Sequence, residues 1–128
     1  MGYAVGDVIA ERTLHLTRES LVRYAGASGD FNPIHYRDDV AAAVGLPGVL
    51  AHGMLTMGLA SSVVLAVLPA DVKLIDYGVR FTKPVVVDPD TGADVHVVAK
   101  VGAVDDTSAR IDLTVKYAEN TVLVKAQL

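Results

Sequence analysis

The longest apolar segment constrains the fold of this chain more than any other feature. It runs from Met54 to Ala70, is interrupted only by small or hydroxyl-bearing residues, and contains no charged side chain. Its length is near the shorter limit for a membrane span, but the segments after it are typical of a water-soluble sheet. We therefore expect a buried helix from Met54 to Leu68, at the centre of the domain, and no membrane contact.

Segments rich in Val, Ile and Thr predict an antiparallel sheet around this helix. One candidate strand, Val8 to Leu16, precedes the helix, and four follow it: Val72 to Phe81, Ala93 to Val104, Ala109 to Tyr117 and Thr121 to Leu128. Turn-forming residues separate them, most clearly in the Asp-Pro-Asp-Thr-Gly sequence at 88–92. The sheet must bury its apolar face, so we expect an α+β fold in which an antiparallel sheet wraps the central helix. A length of 128 residues fits a single domain covering 1–128.

The composition excludes several classes of function. The chain has no Cys, which rules out disulfides, thiolate nucleophiles and cysteine-based metal sites. It has 11 basic and 15 acidic residues, a net charge of −4 and no basic run, so nucleic acid is not an expected partner. The amino terminus lacks the basic and apolar segments of a secretory signal, which makes the cytoplasm the expected location.

Two short helices are predicted between the first strand and the apolar helix. Thr17 is a candidate N-cap for a helix that reaches Ser28, and a second helix is expected from Arg37 or Asp38 to Val44. Pro33 has no amide hydrogen and disfavours helical geometry at the residue before it. The residues between the two helices are therefore expected to form a loop.

This loop carries an acid and a base, Asp30 and His35. Because Pro33 stiffens it, both side chains can reach one small volume at little cost in ordering entropy. An imidazole that titrates near neutrality and an adjacent carboxylate suit the addition or elimination of water. On local reasoning alone a second interpretation stays open, in which Asp30 only forms a turn and His35 is a half-buried histidine.

The Ala-His-Gly-Met sequence at 51–54 favours the catalytic interpretation. Gly53 stands where the apolar helix begins, and the first amides of a helix are unpaired and lie at its positive end. Since glycine permits close approach of a carbonyl oxygen, Gly53 is a candidate oxyanion site; the alternative is a tight turn into the helix. Two turns later, Ser61 and Ser62 either pack as ordinary helix hydroxyls or reach the carboxylate of Asp30.

Taken together, these residues resemble the hydratase 2 motif of MaoC-like (R)-specific enoyl-CoA hydratases and (3R)-hydroxyacyl-ACP dehydratases. The motif positions are Tyr24, Ser28, Gly29, Asp30, Asn32, Pro33, Ile34, His35 and Ala41, followed by His52, Gly53 and Met54. The resemblance extends loosely over nearly the whole chain, including the Gly-Val-Arg-Phe-Thr-Lys-Pro sequence that begins at Gly78. Ala27 departs slightly from the motif, because it is smaller than the aliphatic residue usually found before the serine. Within the family, the motif sequences look closest to the β subunits of actinobacterial dehydratases.

The resemblance implies a hot-dog fold and a homodimer or a heterodimer with a second hot-dog subunit. It also implies that Asp30 and His35 activate the water that adds to C3 of an enoyl thioester carried by CoA or acyl carrier protein. The amide of Gly53 would bind the thioester oxygen, Ser61 would support Asp30, and Asn32 would have a structural role in the loop. It implies no metal and no redox cofactor.

Two rival functions stay open on the sequence. Asp30, His35 and His52 could form a site with two histidines and one carboxylate, the pattern of iron oxygenases. The chain could instead be a non-catalytic subunit that binds acyl thioesters, although the presence of Asp30, Asn32 and His35 argues against this.

Four further residues have a plain and a functional interpretation. Arg80 and Lys83 either meet the phosphates of a phosphopantetheine arm or an acidic carrier protein, or are solvated strand charges. His15 and His96 lie on predicted strands and are expected to be partly exposed, outside any shared cluster.

Overall fold

The computed structural model describes residues 2–128, in which the chain forms five strands and four helical segments. In chain order these are β1 (Val8–Leu16), α1 (Arg18–Ser28), a one-turn 3-10 helix (Pro33–His35), α2 (Asp38–Ala43), α3 (Gly53–Leu65), β2 (Gly78–Phe81), β3 (Ala93–Val104), β4 (Ala109–Tyr117) and β5 (Asn120–Gln127). None of the helices described is long and apolar enough to cross a membrane.

The five strands form one antiparallel sheet in the order β1-β3-β4-β5-β2, so β1 and β2 are its edges. Along β3 and β4 buried residues alternate with more exposed ones, which shows that one face of the sheet is covered. The covered face and α3 share a single core whose members include Val95, Val97, Ala99, Val101, Ile111, Leu113, Val115, Ala60, Val63 and Val64. The expected α+β arrangement, a sheet curled over a central helix, is confirmed.

The predicted start and end of α1 are confirmed in detail. The Thr17 hydroxyl accepts from the Ser20 amide at 3.3 Å, and the Ser20 hydroxyl accepts from the Thr17 amide at 3.0 Å. At the other end Gly29 adopts φ +78°, and its amide donates to the Ala25 carbonyl at 2.9 Å. This left-handed cap turns the chain sharply, so Asp30 leaves the helix axis immediately after the last turn.

The prediction of a strand from Val72 to Phe81 is wrong over its first six residues. Only Gly78–Phe81 pairs with the sheet, through β5. Residues 72–77 lie outside the ladder: Ile75 is 85% exposed, and the Tyr77 hydroxyl donates to the Met57 carbonyl of α3 at 2.6 Å. Strand-like composition could not reveal this, because a side-chain anchor to the helix replaces strand pairing.

One helix ends earlier than expected, and one short helix was not predicted. Central helix α3 ends at Leu65, three residues before Leu68, because Pro69 cannot continue the helix and the Val67 amide already bonds to Val64 as in a turn. The loop after Asp30 contains the short 3-10 helix, where Pro33 occupies the first position and its missing amide costs nothing.

The turn predicted at 88–92 is present, and its last residue gives a test of the fold. Gly92 adopts φ +71°, and a Cβ there would collide with the backbone carbonyl of Leu16. We expect Gly92→Ala to lower the free energy of unfolding by about 1–3 kcal/mol, measured by urea denaturation. Gly26→Ala in α1 is the control, because its Cβ meets nothing within 4 Å and alanine stabilises a helix by about 0.5–1 kcal/mol. Equal effects of the two changes would contradict the proposed clash.

Candidate active site

Three consecutive side-chain turns shape the loop that follows α1. The Ser28 hydroxyl accepts from the Asp30 amide at 3.1 Å, and Asp30 Oδ1 accepts from the Asn32 amide at 3.2 Å. Asn32 Oδ1 then accepts from the Ile34 amide at 3.2 Å, which starts the 3-10 helix. Each of these short polar residues satisfies the amide two positions ahead, so the sequence itself sets the path from Asp30 to His35.

His35 is held in one orientation with one nitrogen available. Its Nδ1 lies 2.7 Å from the carbonyl oxygen of Leu50. A carbonyl oxygen only accepts, so Nδ1 carries the proton of the neutral ring and Nε2 keeps its lone pair. Nε2 lies 3.9 Å from Asp30 Oδ2, which is too long for a hydrogen bond but lets one small oxygen atom contact both groups. The side chain of His35 is 10% exposed and that of Asp30 is 50% exposed.

His52 lies directly behind this pair and is almost fully buried, at 1% exposure. Its ring stacks on His35, with centroids 3.8 Å apart and planes at 21°, and the Tyr24 ring meets it edge-on at 4.7 Å. Its Nε2 donates to the backbone carbonyl of Asp30 at 3.2 Å, and its Nδ1 has no hydrogen-bond partner among the described residues. Burial lowers the pKa of His52, so the ring stays neutral near neutral pH.

The metal-binding alternative brings the same three residues together but fits their geometry poorly. Ligand atoms of Asp30, His35 and His52 lie within 4.8 Å of one another. An imidazole binds a metal in its own plane along the lone pair, and the lone pairs of two stacked rings run side by side instead of converging. The His52 Nε2 proton is also engaged by the Asp30 carbonyl. The arrangement favours hydrogen bonding and proton transfer.

Gly53 is the first residue of α3, and its amide precedes the helical hydrogen bonds. The amides of Leu55 and Thr56 both donate to the His52 carbonyl, at 3.1 and 3.2 Å, whereas the Gly53 amide has no acceptor within residues 2–128. A Cβ on Gly53 would lie 3.0–3.3 Å from three ring carbons of Phe81. The absence of a side chain therefore lets an aromatic ring rest on the helix N-terminus.

A cleft of about 300 Å³ opens beside these groups. His35, Gly53 and Thr56 line one part of it, and Phe81, Lys83 and Val85 line another. The base and the helix N-terminus thus face one cavity, and the half-exposed carboxylate of Asp30 approaches His35 from outside its lining. An imidazole, a carboxylate and an amide donor at one cleft form a set that can bind a carbonyl oxygen and move a proton nearby.

The serines of α3 make hydrogen bonds within the helix. The hydroxyl of Ser61 donates to the Gly58 carbonyl at 2.8 Å, and that of Ser62 donates to the Leu59 carbonyl at 2.6 Å. Ser61 lies eight residues after Gly53, which is roughly 12 Å along the helix axis. Its hydroxyl is bonded within the helix in this structure, and its support of Asp30 stays a prediction.

Lys83 and Arg80 flank the cleft differently. Lys83 lines it, and its Nζ lies 3.2 Å from Asn120 Oδ1. Arg80 is exposed on edge strand β2, opposite Val124. Of the two candidate phosphate contacts, Lys83 is the one next to the cleft.

His15 and His96 are partly exposed, as expected, and each belongs to its own ion pair. On the outer face of β1 and β3, His15 Nδ1 pairs with Asp94 at 2.7 Å, and His96 Nε2 pairs with Glu11 at 2.8 Å. Thr13 stands opposite His96 in the ladder and contacts its other nitrogen at 2.8 Å. The sequence did not reveal these two ion pairs because they depend on the register of two strands about eighty residues apart.

Comparison with known families and structures agrees with the geometry. The profile of the MaoC-like domain matches residues 4–122. The chain belongs to this family. The resemblance drawn from the loop and helix motifs is therefore confirmed at the level of the family.

Sequence and structure relatives show how much of other proteins the chain represents. It is 39% identical over 79 residues to 3-hydroxyacyl-thioester dehydratase X of Mycobacterium tuberculosis, which covers 62% of this chain and 27% of that protein. A solved MaoC-like dehydratase superposes with a TM-score of 0.93 and 34% identity over 98% of this chain and 39% of its own. The chain spans less than half the length of each of these two relatives.

Two further structures have lengths closer to that of this chain. The R-hydratase PhaJ1 of Pseudomonas aeruginosa, in its unliganded form, has a TM-score of 0.82 and 30% identity over 98% of this chain and 78% of its own. The HadBC (3R)-hydroxyacyl-ACP dehydratase complex of Mycobacterium tuberculosis has a TM-score of 0.74 and 20% identity, over 95% of this chain and 93% of its own, and shows the fold alone. The expected hot-dog fold is confirmed.

Burial of neutral His52 predicts how stability depends on pH. Its pKa is lowered by burial, whereas an unfolded histidine titrates near about 6.5. Below that value the unfolded chain binds the extra proton first, so the free energy of unfolding falls as pH drops toward the lower pKa of His52. We expect His52→Gln to flatten this slope in urea titrations from neutral to mildly acidic pH. The control, His96→Gln at an exposed site, should keep the wild-type slope. An unchanged slope in His52→Gln would contradict the proposal that His52 is buried as a neutral ring.

Proposed function

We propose that this chain catalyses the reversible hydration of trans-2-enoyl thioesters to (3R)-hydroxyacyl thioesters, with the acyl group on CoA or acyl carrier protein. The observation that carries the proposal is the placement of His35 Nε2, unprotonated in the neutral ring, 3.9 Å from the Asp30 carboxylate and beside the cleft at Gly53. Family membership and the names of the relatives support the same class of reaction.

The acid and base would act on one water molecule. Its oxygen would contact Asp30 Oδ2 and His35 Nε2, and it would give a proton to Nε2 as it bonds to C3 of the substrate. The Asp30 and His35 pair would then return a proton to C2, so that one water is added and the pair ends as it began. The reverse order of the same steps eliminates water.

The N-terminus of α3 would stabilise the charge that develops. As water attacks C3, negative charge moves through the conjugated system to the thioester oxygen. An amide donor at Gly53, reinforced by the positive end of the helix, would bind that oxygen most strongly in the transition state. In other enzymes the loss of one such donor lowers kcat by about 10²–10³-fold.

Substitution of Asp30 and His35, the proposed catalytic dyad, gives the most direct test of the proposed function. We expect Asp30→Asn and His35→Gln to lower kcat by at least about 10²-fold, since each removes one partner of the proton transfer. The measurement is the loss of enoyl-thioester absorbance with crotonyl-CoA and with a long-chain enoyl-CoA. Asp39→Asn is the matched control, because that carboxylate pairs with Arg37 on the surface, away from the cleft. Folded dyad variants that keep wild-type rates would refute the proposed function.

A second hot-dog subunit, identical or related, would complete the structure around the cleft. Three large apolar side chains near the site are more than half exposed: Phe31 at 59%, Met54 at 61% and Phe81 at 54%. Strand β2 is also a short edge with unpaired backbone groups. Both features suit a protein interface, and the HadBC relative is itself a complex.

Sedimentation of the purified chain tests this association. We expect either a dimer of the chain alone or a stable one-to-one complex with a related subunit, because an exposed apolar surface and an open edge strand favour association. Activity should be assayed on the same fractions with CoA and with carrier-protein substrates. A monomer that is fully active alone would contradict the need for a partner.

A further inference from the structure

We propose that His52 is a positioning residue, which fixes the Asp30 backbone and the His35 ring relative to each other. In this arrangement the rings of His52 and His35 carry their protons on opposite nitrogens. His52 makes two contacts to the dyad: its Nε2 donates to the Asp30 carbonyl at 3.2 Å, and its ring stacks on His35 at 3.8 Å. The effect on rate rests on the proposed hydration, whereas the arrangement of protons does not.

Two backbone carbonyls set the proton positions. The acceptor for His52 is the carbonyl of Asp30, so the proton must be on His52 Nε2. The acceptor for His35 is the carbonyl of Leu50, so the proton must be on His35 Nδ1. The stacked rings are thus opposite tautomers, and only the Nε2 lone pair of His35 faces the Asp30 carboxylate.

Burial keeps His52 out of the proton transfer itself. The titratable groups that face it are Asp30 from the loop, His35 from the 3-10 helix and Tyr24 from α1. Its own position, 1% exposed and stacked on another imidazole, disfavours a charge. His52 therefore remains a neutral support.

The place of His52 in the chain links all three functional groups. It contacts the backbone of Asp30 and the ring of His35, and one peptide bond joins it to Gly53. A change in its side chain would therefore shift the acid, the base and the helix N-terminus relative to one another. Misplacement by about 1 Å can lower an enzymatic rate by about 10²-fold.

Packing alone explains His52 poorly. Its Nδ1 is buried without a hydrogen-bond partner among the described residues, which is an unfavourable state for a polar atom. A phenylalanine ring would fill the space between Tyr24 and His35 without this penalty. A histidine here is justified by the one donor that phenylalanine lacks, the Nε2 proton directed at Asp30.

Two substitutions separate the contacts. His52→Gln keeps an amide donor near the position of Nε2 and loses the stacked ring, whereas His52→Phe keeps the ring and loses the donor. We expect each to lower kcat by about tenfold or more with little change in KM, because His52 lies outside the cleft lining and touches no substrate. His96→Gln is the control, a histidine on the outer face of the sheet, and should keep wild-type kinetics.

Nitrogen-15 spectra of the histidine rings test the arrangement without an activity assay. At neutral pH we expect His52 as the neutral Nε2–H tautomer and His35 as the Nδ1–H tautomer. The opposite tautomer on His52 would overturn the proposal, and so would His52→Phe with full activity. A wild-type chain that shows both expected tautomers but hydrates no enoyl thioester, alone or in complex with a related subunit, would refute the proposed function and still support the arrangement.

Discussion

The backbone of Leu50 and Ala51 is the connection on which the site depends. The Ala51 amide donates to the Val85 carbonyl at 2.9 Å, which fixes this segment to the connection between β2 and β3 just before α3 begins. The Leu50 amide donates to the Ile34 carbonyl at 3.1 Å, and the Leu50 carbonyl accepts from His35 Nδ1. The β2–β3 connection, the 3-10 helix and the start of α3 are therefore held by one segment, and His35 cannot move without breaking one of these bonds.

Burial of α3 determines where this segment ends. The helix is mostly apolar and packs inside the curl of the sheet, and its first residue follows directly on the segment that is bonded to the β2–β3 connection. That first residue is Gly53, whose amide has no acceptor within the helix. Packing thus places an unpaired donor beside His35, and an exposed remainder of the helix surface, including Met54 and Leu65, stays available for a partner.

Local chemistry in the sequence predicted the parts of the site that lie close together in the chain. The N-cap at Thr17, the break at Pro33 and the closeness of Asp30 to His35 follow from side chains acting on neighbouring backbone. The stack of His52 on His35 joins residues 17 positions apart, and it depends on the tertiary contacts that hold Leu50. The segment before β2 was mispredicted for a related reason, because the Tyr77 anchor to α3 leaves no local pattern.

The turn and the catalytic interpretations of Asp30 turn out to be compatible, because a carboxylate has two oxygens. Oδ1 accepts from the Asn32 amide and holds the turn, while Oδ2 is directed toward His35 Nε2. The turn therefore fixes the orientation of the carboxylate group. This orientation places Oδ2 where it could share a small ligand with the imidazole of His35. An amide at this position could preserve the turn through its own oxygen, yet it would offer an NH₂ group to His35 in place of an acceptor. The same loop would then keep its shape and lose the acid–base pair, so the shape of the loop and its chemistry are separable properties of one side chain.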